Sequence, residues 1–576
     1  GQIAALGLEP GTEVHAIAPN GTDVTSKAAD ENGAVLFRDL KPVAGWRLRT
    51  ATEETDEITI LSPNDVPDPS LYTDQQTLLP ADGGFGYIVT RDGTTLSANV
   101  ILPGPAANGP YPTVVEYSGY APSNPDDAAL AAIYTAQGFA YVGVNMRGTG
   151  CSGGSYRFFE TSQLLDGYDA IEAIAAQPWV LDHQVGMVGI SYPGISQLFV
   201  ASTQPPSLNS ITPLSVLDDS YRSTLYPGGI LNTGFAVEWT SQRMEQAKPY
   251  GQGWTKDRAD AGDTRCADNQ VLRLQNPDLL QEIEDNPYYT APLGDSIAPV
   301  TLIDRITVPV FLAGAWQDEQ TGGHFPVMIP KFTSSPHVYV TIANGLHTES
   351  ISPAMARRYM EFLQLYVGKK VPDLSAGPTI ASGIGAAIFG VGTFGPFPNR
   401  FAGMTYDAAL AAFEAEKPVR ILFEEGGNAA YAPGTPEANF TAEFSAWPIP
   451  EAEATAWYLG AQGSLASGDA PTTGETVSYT ADPTALPSTF FSGEGSIWNA
   501  AAKWDWRPLP DGTGVGFHTA PLAADTVVAG SGSVDLWIRS STPDTDLEVT
   551  VSEIRPDGTE TYVQSGWLRA SHRALD

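Results

Sequence analysis

Apolar and polar positions alternate in short stretches over the first seventy residues, "TEVHAIAP", "GAVLFRDL" and "GWRLRTAT", broken by Gly, Pro and an Asn20-Gly21 turn. Period-two alternation with that punctuation predicts strands with one buried face, a small Ig-like β-sandwich over residues 1–72. The prolines of "LSPNDVPDPSLY" then deny the chain ladder hydrogen bonds and mark a boundary near Tyr72. From residue 73 the pattern changes to unbroken apolar runs, "SANVIL", "TVVEYS", "AYVGVNM", "VGMVGI", "VPVFLAGA" and "VYVTIAN", separated by helical spacing. Strands apolar on both faces are buried on both, which predicts a mostly parallel sheet covered by helices, an α/β core over 73–216 and 300–370. "LLDGYDAIEAIAAQ" repeats apolar residues at helical spacing and stops before Pro178.

Between 217 and 299 the strand pattern lapses into Trp- and Tyr-containing sequence such as "GFAVEWTSQRMEQAKPYGQGW" and "NQVLRLQNPDLLQEIEDNPYY", read as a helical cap inserted in the core. "RRYMEFLQLYVGKK" reads as the last core helix and 371–418 as a linker. Strands return over 419–576 in Gly-, Pro- and Thr-rich sequence: "PVRILFEE", "ATAWYLG", "VDLWIRSS", "LEVTVSEIRPDG" and "TYVQSGWLRAS", the spacing of a jelly-roll-like β-sandwich.

Composition adds limits. With 42% hydrophobic and 10% aromatic residues the chain can build real cores. Sixty-six acidic against 30 basic residues give a net charge of −36, so nucleic acid and anionic membranes are poor partners, and the acidity reads as solubility. No apolar run reaches the roughly 20 residues that span a bilayer. Gly1 in place of Met is expected to mark a removed leader or a trimmed end, and the composition suits an exported bacterial enzyme, extracellular or periplasmic. Two cysteines, Cys151 and Cys266, exclude a disulfide scaffold and a cysteine zinc cluster and leave room for one disulfide.

The strongest local chemistry is "VGMVGISYPGISQLFVAS", an apolar strand running through Gly189-Ile190-Ser191-Tyr192-Pro193-Gly194 into helix-like sequence. A nucleophile elbow places a serine at such a turn, with small neighbours because the backbone is cramped; its usual spelling, G-x-S-x-G, is broken here by Pro193. An α/β-hydrolase places its acid and then its histidine in loops after later strands. "VPVFLAGAWQDEQTGG" delivers Asp318, and "VYVTIANGLHTES" delivers His347, 29 residues later. Among the seven histidines only His347 has this strand-then-loop setting. Ser191 is therefore the expected nucleophile, His347 the base and Asp318 its orienting acid, with Glu319 as the competing carboxylate. The backbone N–H of Tyr192 is the expected first oxyanion donor. The second is open between the hydroxyls of Tyr117 and Tyr120 in "TVVEYSGYAPSNP".

These motifs, with "TRDGTTLSANVILP", "NMRGTGCSGG", "AGAWQD", "GLHTES", "HTAPLAADTVVAGSGSVDLWIRSSTPDTDLEV" and "IRPDGTETYVQSGWLRASHR", resemble the cocaine-esterase-like serine hydrolases, whose superfamily includes X-prolyl dipeptidyl aminopeptidases and α-amino-acid ester hydrolases. The resemblance runs from about Tyr87 to Arg573 and implies an α/β-hydrolase core, an inserted helical cap and a C-terminal jelly roll. It implies the nucleophile motif G-x-S-Y-x-G, into which Pro193 fits, and a tyrosine hydroxyl as second oxyanion donor, by position Tyr120. It implies no metal or cofactor. The N-terminal sandwich lies outside the family's minimal architecture, which leaves its role open among spacer, homodimer contact and substrate platform. Relatives continue past the segment matching "GWLRASHR", so the jelly roll is expected to be completed by a second, associated chain or to be cut short. Cys151, after the "NMRGTG" strand end, and Cys266, in the cap, are expected to form a disulfide tying cap to core.

Relatives that take amino substrates hold the ammonium with carboxylates. Here Asp218 and Asp219 follow a core strand, but Leu225 and Tyr226 stand where an acidic pair is expected, so amine recognition is unsupported. Tyr226, Phe235, Trp239 and Trp254 could line an apolar acyl pocket. The expected function is a serine carboxylesterase acting on a small-molecule ester. An amidase or X-prolyl-type peptidase is the alternative, and a surface-binding protein on an inactive hydrolase scaffold the remote one.

Overall fold

In the computed structural model, which describes residues 1–62, 64–73, 79–127, 129–468, 470, 476–485, 497–499, 507 and 509–573, the alternating N-terminal stretches form five short strands. β1 (Ile3–Ala5) pairs with β4 (Val35–Phe37), and β2 (Glu13–Ile17) lies between β3 (Asp23–Ala28) and β5 (Arg47–Arg49). Val14, Ala16, Val35, Phe37, Trp46 and Leu48 close a core of their own between these sheets. β3 was not legible in the sequence because every residue of it is exposed and no apolar face marks it. The sandwich docks on the cap and on the core beside it: Arg38 donates from Nη1 to the Gln275 carbonyl (2.8 Å) of the cap and from Nη2 to Ser155 Oγ (2.7 Å) of the core, and Leu36 packs on Leu272.

The apolar runs form one ten-stranded sheet of β6 (Gly84–Val89), β7 (Thr95–Ile101), β8 (Tyr111–Ser118), β9 (Ala140–Asn145), β10 (Val180–Ile190), β11 (Leu208–Leu214), β12 (Val310–Ala315), β13 (Val338–Ala343), β14 (Val419–Phe423) and β15 (Phe440–Phe444). Their order is β15-β14-β13-β12-β11-β10-β8-β9-β7-β6, parallel from β14 to β9 and antiparallel at β7 and β6. Every residue of β9 and β12 is buried, as two covered faces require. The register runs Ile190↔Leu214↔Ala313↔Thr341, so β10 to β13 end at one edge of the sheet. In open α/β sheets that carboxyl edge is where ligands bind. The cap between β11 and β12 is helical as expected, with helices Ala236–Gln246, Trp254–Asp260, Thr264–Asp268 and Leu279–Asp285.

Three boundaries differ from the sequence reading. The strand assigned to the start of the jelly roll, β14, instead pairs with β13 in the central sheet, where Arg358 donates to Val340, Lys417 and Pro418 carbonyls and locks the junction. The expected linker 371–418 carries helices Gly377–Ile384 and Tyr406–Glu414, and Phe401, Ala409 and Phe413 join the core of the sheet. The chain accordingly divides into compact units at Gly1–Glu443 and Phe444–Leu575. In the second unit the described residues form two ladders, β16 (Trp457–Leu459) with β17 (Leu465–Ser467) and β18 (Asp546–Ile554) with β19 (Glu560–Arg569). "VDLWIRSS" at 534–541 has strand composition but no described strand runs alongside it, and Trp537 is fully exposed.

Candidate active site

β10 turns directly into the helix Tyr192–Ser202 at Ser191, which sits at φ 66°, ψ −126°. That conformation costs a residue with a side chain on the order of 1–3 kcal/mol, and the surroundings hold it: Ser191 N donates to the Leu214 carbonyl (2.9 Å) and Ile195 N to the Ser191 carbonyl (2.8 Å). A Cβ on Gly189 would lie 2.6 Å from Pro193 Cβ, and one on Gly194 2.6 Å from the Leu214 carbonyl oxygen. The close approach thus falls on the third residue after the serine, which is why Pro193 fits at the second. Ser191 makes no side-chain cap to the helix, so its hydroxyl is not consumed there, and the Tyr192 N–H belongs to the helix's unpaired first-turn donors.

Asp318 and His347 lie beyond the ends of β12 and β13, on the edge that carries Ser191. His347 Nδ1 faces both carboxylate oxygens of Asp318, at 2.8 and 3.0 Å. A nitrogen facing a carboxylate carries the proton, which leaves Nε2 with the lone pair. Asp318 also accepts from Gln320 N (2.9 Å), Thr321 N (2.8 Å) and Thr321 Oγ1 (2.7 Å). The turn is fixed at both ends of the histidine: His347 N donates to Glu319 Oε2 (2.9 Å), and its carbonyl accepts from Ser215 Oγ (2.7 Å). Glu319 therefore holds the histidine backbone and not its ring. Burial pulls the imidazole pKa down, but the Asp318 charge and hydrogen bond outweigh it and leave His347 above its ordinary value. For Asp318 burial acts upward, and the imidazole with the Thr321 donors brings it below the usual carboxylate range. Burial and the Asp318 charge push Glu319 up to about 7.

The two tyrosines left open by the sequence separate here. The Tyr117 hydroxyl is occupied by the Gln163 carbonyl at 2.8 Å. The Tyr120 hydroxyl accepts from Trp239 Nε1 at 3.1 Å, and because indole only donates, the phenol O–H is left to donate elsewhere. The Tyr120 ring stands edge to face on Tyr192, centroids 5.4 Å apart, and Trp239 does the same at 5.2 Å. Gln252 Nε2 donates to the Tyr120 carbonyl (2.8 Å), and Gln252 Oε1 accepts from Trp254 Nε1 (3.2 Å).

Of the aromatics expected to line a pocket, Trp239 packs directly on Tyr192 and bonds Tyr120, whereas Trp254 reaches this group through Gln252. Tyr226 is packed in the cap's own core with Tyr221 and Ile283, its hydroxyl donating to the Ile283 carbonyl (2.8 Å). Phe235 is buried at the start of the cap helix Ala236–Gln246. Trp254 packs on Phe85 beside the cysteines. Cys151 and Cys266 form the expected disulfide. Trp239's bond to Tyr120, and Arg243 stacked over that ring at 4.6 Å, carried no sequence signal because the cap brings them there from more than a hundred residues away.

Comparison with known proteins gives this geometry its family. The X-Pro dipeptidyl-peptidase (S15 family) profile matches residues 92–349, and the profile of the X-Pro dipeptidyl-peptidase C-terminal non-catalytic domain matches 411–576. Cocaine esterase from Rhodococcus sp. is 25% identical over 511 residues, 84% of this chain and 82% of that protein. The chain belongs to the cocaine-esterase-like and X-Pro dipeptidyl-peptidase superfamily. It is a serine hydrolase with an α/β-hydrolase fold. A putative serine esterase from Mycobacterium tuberculosis is 23% identical over 490 residues, 77% of this chain and 70% of the relative. Among solved structures of the superfamily, a CocE/NonD family hydrolase from Staphylococcus aureus superposes with a TM-score of 0.47 at 20% identity, over 66% of this chain and 59% of that one. An α-amino-acid ester hydrolase superposes at 0.48 and 16%, over 75% and 69%.

Proposed function

We propose that this serine hydrolase cleaves carboxylic esters through an acyl-enzyme formed on Ser191. The observation that carries the reading is the buried His347–Asp318 pair, standing on the sheet edge where Ser191 is held at a positive-φ elbow. Ser191 Oγ attacks the ester carbonyl while His347 Nε2 takes its proton, and Asp318 stabilises the imidazolium through Nδ1. The carbonyl oxygen becomes an oxyanion received by the Tyr192 N–H and the Tyr120 hydroxyl, donors fixed before the charge develops. His347 returns the proton to the leaving alcohol. Water then attacks the acyl-enzyme by the same route and releases the acid.

Cleavage of dipeptides from a free amino terminus would need carboxylates to pair its ammonium. Asp219 is occupied by Tyr221 N, Arg222 N and Arg222 Nε, and Asp218 accepts from Ser223 Oγ, which favours esters. The disulfide supports export to an oxidising compartment. The test is intact-mass spectrometry after an organophosphonate, with a panel of 4-nitrophenyl esters and an X-Pro 4-nitroanilide. One adduct, absent in Ser191→Ala, with ester turnover above anilide turnover is expected. No adduct on the native chain would overturn the mechanism, and faster anilide cleavage would replace esterase with peptidase.

A further inference from the structure

Buried arginines in this acidic chain are matched. Arg91 meets Asp169 at 2.8 Å, Arg147 meets Asp166 at 2.6 Å and Asp92 at 2.7 Å, and Arg273 donates to the carbonyls of Gly150, Ser152 and Gly154. Arg243 is the exception. It is 7% exposed, on the cap helix Ala236–Gln246, and its Nε is buried without an acceptor. Among the described residues its one hydrogen bond, Nη2 to Gln242 Oε1, is at the 3.5 Å limit, and no carboxylate lies within ion-pair range of it. The guanidinium instead stacks over the Tyr120 ring at 4.6 Å and stands 5.7 Å from the Trp239 ring.

A buried charge is normally paired, and a ring face offsets only part of the lost hydration. Lying over the ring holds the guanidinium in place and leaves its N–H groups to receive an anion, and arginine binds a planar carboxylate through two parallel bonds. Arg243 lies on the ring of the proposed oxyanion tyrosine, one side chain removed from the position where the attacked carbonyl oxygen would be received. With a net charge of −36 the protein as a whole repels anions, and a local cation is the device by which an anionic substrate could be held.

We propose that Arg243 is a specificity residue that binds a carboxylate of the substrate, so that the preferred esters of this hydrolase carry a free acid. The inference rests on the acyl-enzyme reading above and names the substrate class of that site. The test uses matched pairs of esters. The 4-nitrophenyl half-ester of glutaric acid is compared with its methyl-capped neutral form, and the acetate ester of 4-hydroxybenzoic acid with that of its methyl ester. The charged member of at least one pair is expected to have the higher kcat/KM in the native chain. Arg243→Gln and Arg243→Met should lower the charged-to-neutral ratio by about 10- to 100-fold, the worth of a hydrogen bond to a charged group, while Arg243→Lys keeps part of it.

A native chain that prefers the neutral member of both pairs, or ratios unmoved by the substitutions, would overturn the proposal. Organophosphonate labelling of Ser191 in every variant separates the two readings. Labelling with no charge discrimination sinks the carboxylate site alone, whereas no labelling of the native chain sinks the acyl-enzyme and this inference with it. A binding readout stands beside turnover: in a Ser191→Ala background, monomethyl glutarate should bind at least tenfold more weakly once Arg243 is replaced by Gln. Equal binding would count against the site whatever the kinetics.

Discussion

His347 is poised by two opposed effects, and each can be removed separately. Burial disfavours its cation and Asp318 favours it, with Asp318 the stronger, so the pKa lies above the ordinary 6.5. A base must be unprotonated, so kcat/KM is expected to rise with pH and reach half its plateau above 6.5. Asp318→Asn keeps the shape but removes the charge and the tautomer control; kcat should fall by about 10⁴-fold, and the residual activity should rise at a lower pH than in the native chain, because burial, the largest single influence, is then opposed only by the weaker Glu319 charge. A pH–rate profile of both proteins checks the sign, and an unmoved midpoint would show that the carboxylate does not set the base. On the oxyanion side, Tyr120→Phe should lower kcat about 10²- to 10³-fold. Trp239→Phe keeps the ring and loses the N–H that turns the phenol outward, and about five- to tenfold should follow, chiefly in kcat. Chain order and strand-then-loop context made Ser191, Asp318 and His347 legible in the sequence. Trp239 and Arg243 were not, since their partners come from folding the cap over the loop after β8.

Elements were legible where one pattern filled them. The six unbroken apolar runs all became strands of the central sheet. β11 is expected from the sequence only as a core strand ahead of Asp218 and is not among the apolar runs, because "LNSITPL" mixes polar residues and a proline with apolar ones; Thr212 is nevertheless buried, its N–H bonded to Gln197 Oε1 (2.7 Å) and its hydroxyl to the Met187 carbonyl (2.9 Å). β14 was misassigned because the composition that follows it is Gly- and Pro-rich, although its own residues pair with β13. The cap is fastened to the turn after β9 by two independent means. The Cys151–Cys266 disulfide closes a loop of 115 residues, and Asn269 Nδ2 donates to the Cys151 carbonyl (2.7 Å) while Arg273 fills the same turn. Reduction, or the pair Cys151→Ala and Cys266→Ala, should therefore lower stability by about 2–5 kcal/mol without releasing the cap. Urea unfolding with and without reductant measures the first part. Retained esterase activity under reducing, non-denaturing conditions measures the second; complete loss of activity there would mean that the disulfide alone holds the cap.

At the scale of the whole molecule, an acidic chain has buried carboxyls it cannot all ionise. Behind the His347 turn, Glu319, Glu349 and Glu425 converge. Glu349 Oε2 and Glu425 Oε2 are both shut off from solvent without a hydrogen-bond partner among the described residues, and each carboxylate would raise the other, so burial and mutual repulsion disfavour ionising both. The space is tight: a Cβ on Gly345 would fall 1.4 Å from Glu349 Oε2. Burial and the Glu319 charge push Glu349 up to about 8, burial and the Glu349 charge push Glu425 upward, and Glu116, behind β8, is raised to about 7 by burial. In the unfolded chain these groups ionise near 4.5, so between pH 4.5 and 8 the folded state holds more protons than the unfolded one. Their contribution to stability is complete below the unfolded value and is lost as pH rises through the folded one. Asp318, held below its ordinary 3.8, acts in the opposite sense but only on the acid side of that value. The melting temperature should accordingly peak near pH 5 and decline toward pH 8. Each group's share of that slope is bounded at about 1.4 kcal/mol per pH unit. Glu349→Gln keeps the shape and cannot ionise, so it should flatten the decline while leaving the acid limb unchanged. Calorimetric scans of both proteins from pH 4 to 9 decide it: parallel curves would mean that Glu349 ionises freely in the folded chain and does not set the slope.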